Sequence, residues 1–457
     1  MSAAGRSSLD KVSLGQKLGF GVGDFGLNLY YTFLNLFLYY YYTDILNIRP
    51  GVAGLIFAIP LFWDAVTDPV MGVLASRTRT RMGSFRPYIL YGAVPLAFSF
   101  IGLFAAPLFF PGAVVVACAV SHVIFRTCYT VVSIPYSALS ARITSDSQER
   151  GVLAGLRMLF AASSGLATVF LTLQLAAWLA QGKMMDGFFR VSLIYGAVAS
   201  LILMLTFIST REQASQMSDA RPSLADLGKF VRKNRALWIL IAAIFLGSVG
   251  SNIAGKSIIY YVKYVANLDL SITSALTAML LATTASIPCW MMVSRFVAKK
   301  TVWITGACFS ILMQIILFVS PPSAVTPFLA ILAVMGVGQG AFIVTFWSML
   351  PDTVEYGEWR SGVRDEGVVF GLNQLALKAA SGVGIAALGF MLEIAGYEAN
   401  QVQSVDTIYG IRVIAILIPM IGSICVTCLI AFYPIDAVMH RRLLRAIRWR
   451  KARREAA

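Results

Sequence analysis

Twelve stretches of this chain each approach the roughly 20 consecutive apolar residues that cross a bilayer, and that succession excludes almost every other fold. They run approximately over 16–43, 51–76, 87–107, 113–140, 151–180, 188–210, 236–264, 270–294, 301–321, 326–350, 367–396 and 407–434. Of the 457 residues 58% are hydrophobic and only 13% charged, too apolar a balance for a water-exposed globule. Inside lipid every backbone amide has to bond within its own segment, so the spans are expected as α-helices, and glycine or proline within them is tolerated. The expected class is an all-α polytopic membrane protein of twelve transmembrane helices. Its longest interior polar interruption, Arg211 to Arg235, divides the spans six and six. This predicts an N-terminal six-helix bundle over 1–210, a cytoplasmic linker over 211–235, a C-terminal six-helix bundle over 236–435 and a basic tail over 436–457. Paired pseudo-symmetric halves are the arrangement of secondary transporters.

Basic residues set the orientation. Placing both ends and the even-to-odd loops on one side collects 28 of the 37 Lys and Arg there, against Arg49, Lys183 and Arg190 opposite. Both termini are therefore expected in the cytoplasm and the protein in the plasma membrane, the inner membrane of a bacterium. The first fourteen residues lack the short apolar core of a signal peptide. The net charge of +15 is mostly this bias, and the basic tail is read as lying on anionic lipid headgroups rather than on nucleic acid. Tyr39 to Tyr42, at the outer end of the first span, are expected as an interfacial aromatic belt. All six cysteines, Cys425 and Cys428 included, fall in apolar runs and are read as small hydrophobes. With two histidines, His122 and His440, and no metalloprotease or nucleophile-elbow motif, neither an enzyme nor a cofactor is expected, and no metal beyond a coupling Na+.

Chemistry concentrates in WDAVTDPVMGVLASRTRTRMGSFRPY, Trp63 to Tyr88. Asp64 and Asp68, one helical turn apart, share a face about 6 Å from each other. A charged group at membrane depth costs roughly 2.5–3.5 kcal/mol on insertion scales, so such a pair persists where it faces a cavity and binds something. Counting residues from the helix ends places Asp68 level with Ser133 and Asp64 level with Tyr129 and Thr130. The fourth span carries His122, Arg126, Tyr129, Thr130, Ser133 and Ser137 at spacings of three and four, and the first repeats that pattern with Asp24, Asn28, Thr32 and Asn35. Lys378, with Asn373 and Gln374 about one turn before it, reaches the midplane from the second half. Oxygens of Asp64, Asp68, Thr130 and Ser133 suit Na+, and protonation of one carboxylate suits H+. Lys378 can compete with the cation for those carboxylates.

WDAVTDP with GVLASRTRTRMGSFRPY, KLGFGVGDFGLN, SIPYSAL with TSDSQER, PDTVEYGEWRSG and NQLALKAASG together resemble the glycoside-pentoside-hexuronide:cation symporter family of the major facilitator superfamily. The resemblance extends from about Lys17 to Tyr397. It implies a major facilitator fold and alternating-access symport of a sugar or glycoside with Na+ or H+. It assigns Asp64, Asp68 and Thr130 to the cation, Lys378 to coupling, and Tyr129 and Arg157 to the neighbourhood of the sugar. The chain also departs from the family's type member: Ser133 and Asn28 stand where that protein has aspartates, Ser137 where it has a tryptophan, and Ser76 at an acidic loop position. These departures remove the support for galactoside specificity and weaken that for Na+.

A cation-coupled symporter of a sugar, glycoside or sugar acid, working as a monomer in the lipid bilayer, is thus the expectation. A lysolipid carrier on the same scaffold is the alternative, and a sensor that no longer transports a further one. Asp24, Asn28, Arg126, Tyr129, Ser137, Arg157, Asn373 and Gln374 are the candidate substrate contacts. Asp64 and Asp68 are both expected to carry coupling. The cations Arg126, Arg157, Lys256 and Lys378 outnumber three buried acids, which favours a carboxylate-bearing substrate and, with two carboxylates left for the ion, H+ over Na+. At the cytoplasmic mouth, Arg77, Arg79, Arg81 and Arg86 are expected to latch an inner gate against Asp146, Glu149, Asp352, Glu355 and Glu358.

Overall fold

Where polar connections give way to apolar sequence, short polar side chains open the helices, as N-caps do. The computed structural model describes residues 12–144, 147–212, 224–266, 271–320, 323–362, 365–436, 439–440, 442–443, 445–447 and 449. Ser13 caps α1 (Leu14–Phe33) by accepting from the Gln16 amide. After it come α2 (Pro50–Arg77), α3 (Arg86–Phe109), α4 (Val114–Ile143), α5 (Ser147–Leu179), α6 (Met184–Ser209) and a ten-residue α7 (Leu224–Lys233). Then follow α8 (Arg235–Tyr260), capped by Asn234, α9 (Ile272–Val293), capped by Ser271, α10 (Lys299–Val319) and α11 (Val325–Ser361). Gly362, at φ 78°, stops α11 in the left-handed conformation that glycine adopts without strain. Asp365 caps α12 (Glu366–Ile394), Ser404 caps α13 (Val405–Arg412), and α14 (Ile418–Ala431) ends the apolar sequence. No strand occurs among the described residues; Thr80 and Gly83 form one isolated bridge. Arg86 at the head of α3 sits beside a carboxylate the sequence reading passed over: Glu212 accepts the amides of Ser84, Phe85 and Arg86, each at 2.8 Å.

Among the described residues, eleven helices are long and apolar enough to cross a membrane. The first expected span, 16–43, is helical as well, with α1 prolonged by π-helical turns at Leu34–Leu38 and Tyr41–Ile45. Its Asp24, Asn28, Asn35 and many tyrosines keep it less apolar than the other eleven.

The chain forms two compact units, Met1–Met217 with Glu398–Gln401, and Ser218–Tyr397 with Val402–Ala457. In the first, α1 packs on α5 and α6, α3 on α4 and α6, and α2 on α4. Its core is aromatic: Phe33 lies 5.4 Å from Phe100, 5.1 Å from Phe104 and 5.9 Å from Phe188. Tyr39, Tyr41 and Tyr42 belong to this core and are fully buried, which corrects the expected interfacial belt. The Tyr39 hydroxyl donates to the Pro50 carbonyl at 3.1 Å, and Tyr41 packs 5.0 Å from Phe104. A tyrosine ring is as well served by a carbonyl within the protein as by a headgroup.

In the second unit α11 packs on α9 and α10, and α8 on α12 and α14. The linker expected over 211–235 contributes α7, whose Phe230 is buried against Gly357, while Asn234 donates to the Thr353 carbonyl at 2.8 Å. Small residues bring membrane helices close. A Cβ on Gly336 would stand 2.4 Å from the Met279 carbonyl oxygen. Gly336→Val is therefore expected to force α9 from α11 at a cost of ~1–3 kcal/mol, read as a lower thermal midpoint in detergent.

Candidate functional site

Two helices of the first unit meet along a ladder of polar rungs. On α2 the four-residue spacing stacks Asp64 over Asp68; on α4 the same spacing stacks Arg126 over Thr130. Asp64, 1% exposed, forms an ion pair with Arg126, 7% exposed. One turn further on, Thr130 Oγ1 donates to Asp68 Oδ1 at 2.7 Å. Trp63 Nε1 donates to Thr127 Oγ1 at 3.0 Å and pins the same two helices from the adjoining face. The register differs by one turn from residue counting, which set Asp64 beside Thr130 and Asp68 beside Ser133. Counting took the cytoplasmic ends of the two helices as level, whereas Thr130 lies further from the end of α4 at Ile143 than Asp68 does from the end of α2 at Arg77. Ser133 is half-buried. His122, two turns above Thr130 on α4, is buried beside Phe57 at 5.1 Å, and its Nδ1 has no hydrogen-bond partner among the described residues.

A second charged pair joins α1 to α5. Arg157 Nε donates to Asp24 Oδ2 at 2.6 Å and Nη2 to Oδ1 at 3.3 Å, a two-pronged contact that fixes both side chains. The guanidinium lies 4.9 Å from the ring centre of Tyr136 and 5.7 Å from that of Phe20. Tyr136 in turn donates to the Phe20 carbonyl at 2.6 Å. Arg157 thus sits in an aromatic frame with its charge matched. Asn28 turns its amide onto the Asp24 carbonyl of its own helix at 2.9 Å. Tyr129 is half-buried, 5.9 Å from Phe125, and Ser137 is exposed. Tyr136, which the sequence reading did not single out, is the residue that organises this pair.

Arg126 and Arg157 are therefore each balanced by an aspartate. The excess of buried cations expected to favour a carboxylate-bearing substrate is reduced by these two pairs. In the second unit Lys256 is buried on α8, and Lys378 is half-buried on α12. Asn373 is fully buried, and neither atom of its amide has a hydrogen-bond partner among the described residues. Gln374 is exposed. Adjacent residues lie about 100° apart round a helix, so Gln374 shares the face of Lys378 and Asn373 does not. Asn252 of α8 donates to Ser381 Oγ of α12 at 3.1 Å.

Four of the residues expected at the inner gate, Arg86, Glu149, Asp352 and Glu355, have partners the sequence did not indicate. Glu149 pairs with Lys17 at 2.7 Å. Arg86 donates to the carbonyls of Phe207 at 2.8 Å and Met82 at 3.2 Å. Arg77, Arg79 and Arg81 are exposed, with no carboxylate in ion-pair contact among the described residues. Asp146 lies outside the described residues. Asp352 binds Lys299 through both oxygens, at 2.7 and 2.9 Å, and Glu355 accepts His440 Nε2 at 2.6 Å, with Asp352 3.7 Å from the same nitrogen. Glu358 is buried near the end of α11.

Residues 19–437 match the family described as MFS/sugar transport protein. The chain is 30% identical over 451 residues to the uncharacterized symporter YnaJ of Bacillus subtilis (strain 168), covering 96% of each. It is 27% identical over 433 residues to the isoprimeverose transporter of Lactiplantibacillus pentosus, covering 94% of this chain and 90% of that one. With a glucuronide carrier protein homolog of Escherichia coli (strain K12) it shares 29% over 420 residues, 92% of each. Among solved structures, a bacterial homolog of the human lysosomal transporter Spinster, in its inward-facing and unoccupied conformation, matches with a TM-score of 0.65 at 12% identity. The match covers 95% of this chain and 97% of that one, a likeness of fold.

Proposed function

The chain belongs to the MFS/sugar transport protein family, and from that premise we propose that it carries a sugar, glycoside or sugar acid across the membrane together with a cation, by alternating access. The observation that carries this reading is the ladder on α2 and α4, where two acids one turn apart are met by Arg126 and Thr130. Acids at membrane depth are retained where a charge has to be bound and released. Asp68, which accepts from Thr130 one turn beyond the Asp64–Arg126 pair, is the coupling carboxylate in this reading, and H+ the coupling ion. Asp24 and Arg157 form the sugar-facing side, with Tyr136 backing the guanidinium, since a planar guanidinium supplies directed donors beside apolar ring faces. The names of the isoprimeverose transporter and the glucuronide carrier homolog favour a sugar, neutral or acidic, over a lysolipid.

We further assign twelve spans, with both termini and the segment 211–235 in the cytoplasm, and a functional monomer; the one-sided distribution of Lys and Arg supports the orientation. A reporter fused within 213–223 is expected to respond as a cytoplasmic one, and a response from the opposite side would overturn the orientation. Uptake of labelled glycosides and uronates into vesicles holding the purified protein tests the function. Accumulation driven by an imposed proton gradient is the expected result. If no member of such a panel moves under either a proton or a sodium gradient, the reading fails. Competition between a glycoside and its uronate decides whether the substrate carries a carboxylate.

A further inference from the structure

Arg126 offers more than a contact for Asp64. An arginine stays charged at every working pH, and this one is buried on α4 with its guanidinium against a carboxylate that is itself buried on α2. That is the position a bound metal cation would take: against the upper of two acids one turn apart, next to the Asp68 carboxylate that accepts from Thr130. We propose that Arg126 is a built-in cation that closes the Asp64 half of the site to Na+, and so makes this transporter indifferent to sodium. The inference rests on reading α2 and α4 as the coupling site.

Charge and coordination both argue for it. A sodium ion seated on Asp68 and Asp64 would lie about 5 Å from the guanidinium, and repulsion between unit charges at that distance lowers affinity on the order of a hundredfold at the effective dielectric of protein sites. A hard cation also needs several oxygen ligands. With Asp64 committed to Arg126, the ladder itself presents Asp68 and Thr130. A proton needs one acceptor and is untouched by the second restriction. The other groups on this stretch of α4, Thr127 and His122, face Trp63 and Phe57 of α2 and add no carboxylate.

The experiment compares thermal midpoints of the purified, full-length protein in NaCl and in choline chloride at equal ionic strength. Wild type is expected to show no sodium-specific shift, and Arg126→Lys, which keeps the cation, none either. Arg126→Gln uncovers Asp64 and is expected to gain an upward shift on the order of a few degrees with Na+. Asp64→Asn combined with Arg126→Gln removes that carboxylate and should abolish the gain. A sodium-specific shift in wild type, sodium-driven sugar uptake by wild type, or an Arg126→Gln protein that ignores Na+ each overturns the proposal. Should Arg126→Gln not yield folded protein, the wild-type titration and Arg126→Lys still decide it. Sugar uptake on a sodium gradient would sink this inference and leave the transport reading standing. A protein that moves no sugar while Arg126→Gln gains its shift would do the reverse.

Discussion

Asp68→Asn is expected to abolish uphill accumulation, bringing the inside-to-outside ratio of sugar down to about one. An amide occupies nearly the same volume as the carboxylate and still accepts from Thr130, so the α2 to α4 contact survives. What is lost is the ability to take up and release a charge, and with it the link between the ion gradient and the sugar. Exchange of labelled for unlabelled sugar needs no net ion movement and should persist. The measurement is therefore paired: accumulation in energised vesicles against equilibrium exchange in the same vesicles. Full proton-driven accumulation by Asp68→Asn would remove Asp68 from the coupling role. Thr130→Val, which deletes one hydrogen bond to the carboxylate and leaves its charge, is expected to have a smaller effect, about tenfold on the apparent ion affinity.

Arg157→Gln is expected to destabilise the fold strongly. Asp24 is 7% exposed and bound by Arg157 through both carboxylate oxygens. Removing one member of a buried pair strands the other, at a cost of about 3–5 kcal/mol. For a chain of this size that lowers the thermal midpoint on the order of 10 °C. The loss should be largely reversed when Asp24→Asn is added, because no stranded charge then remains, while sugar uptake stays absent in both variants. A single variant as stable as wild type would show that the pair contributes nothing to the fold. If the double variant is no better than the single one, the instability comes from lost packing against Tyr136 and Phe20 and not from charge.

The helices were readable in advance because their causes are local. Apolar runs of bilayer length depend on a few neighbouring residues, although α11 runs on past its expected end at 350 to Ser361. The i, i+4 spacing of Asp64 and Asp68 is of the same kind, and so are the polar faces of α1 and α4. The tyrosines at 39 to 42 misled because an aromatic ring at a helix end suits both a headgroup layer and a protein core, and the neighbours that bury it, Phe104 on α3 and Phe188 on α6, are distant in sequence. Grouping Asn373 with Gln374 failed for a simpler reason, since consecutive residues of one helix face different neighbours.

What the sequence determined by itself is the set of helices, their apolar and polar faces, and the acids that the bilayer would not tolerate without a task. Only the tertiary structure decided which charges meet. Arg126 could have served Asp24 or Asp64, and Arg157 is separated from Asp24 by most of the first unit. The axial register of α4 against α2 gave Asp64 to Arg126 and Asp68 to Thr130, and the packing of α1 on α5 gave Asp24 to Arg157. Register and rotation are set by close packing along whole helix interfaces, a sum over many contacts between segments distant in the chain, and no local pattern of residues contains it.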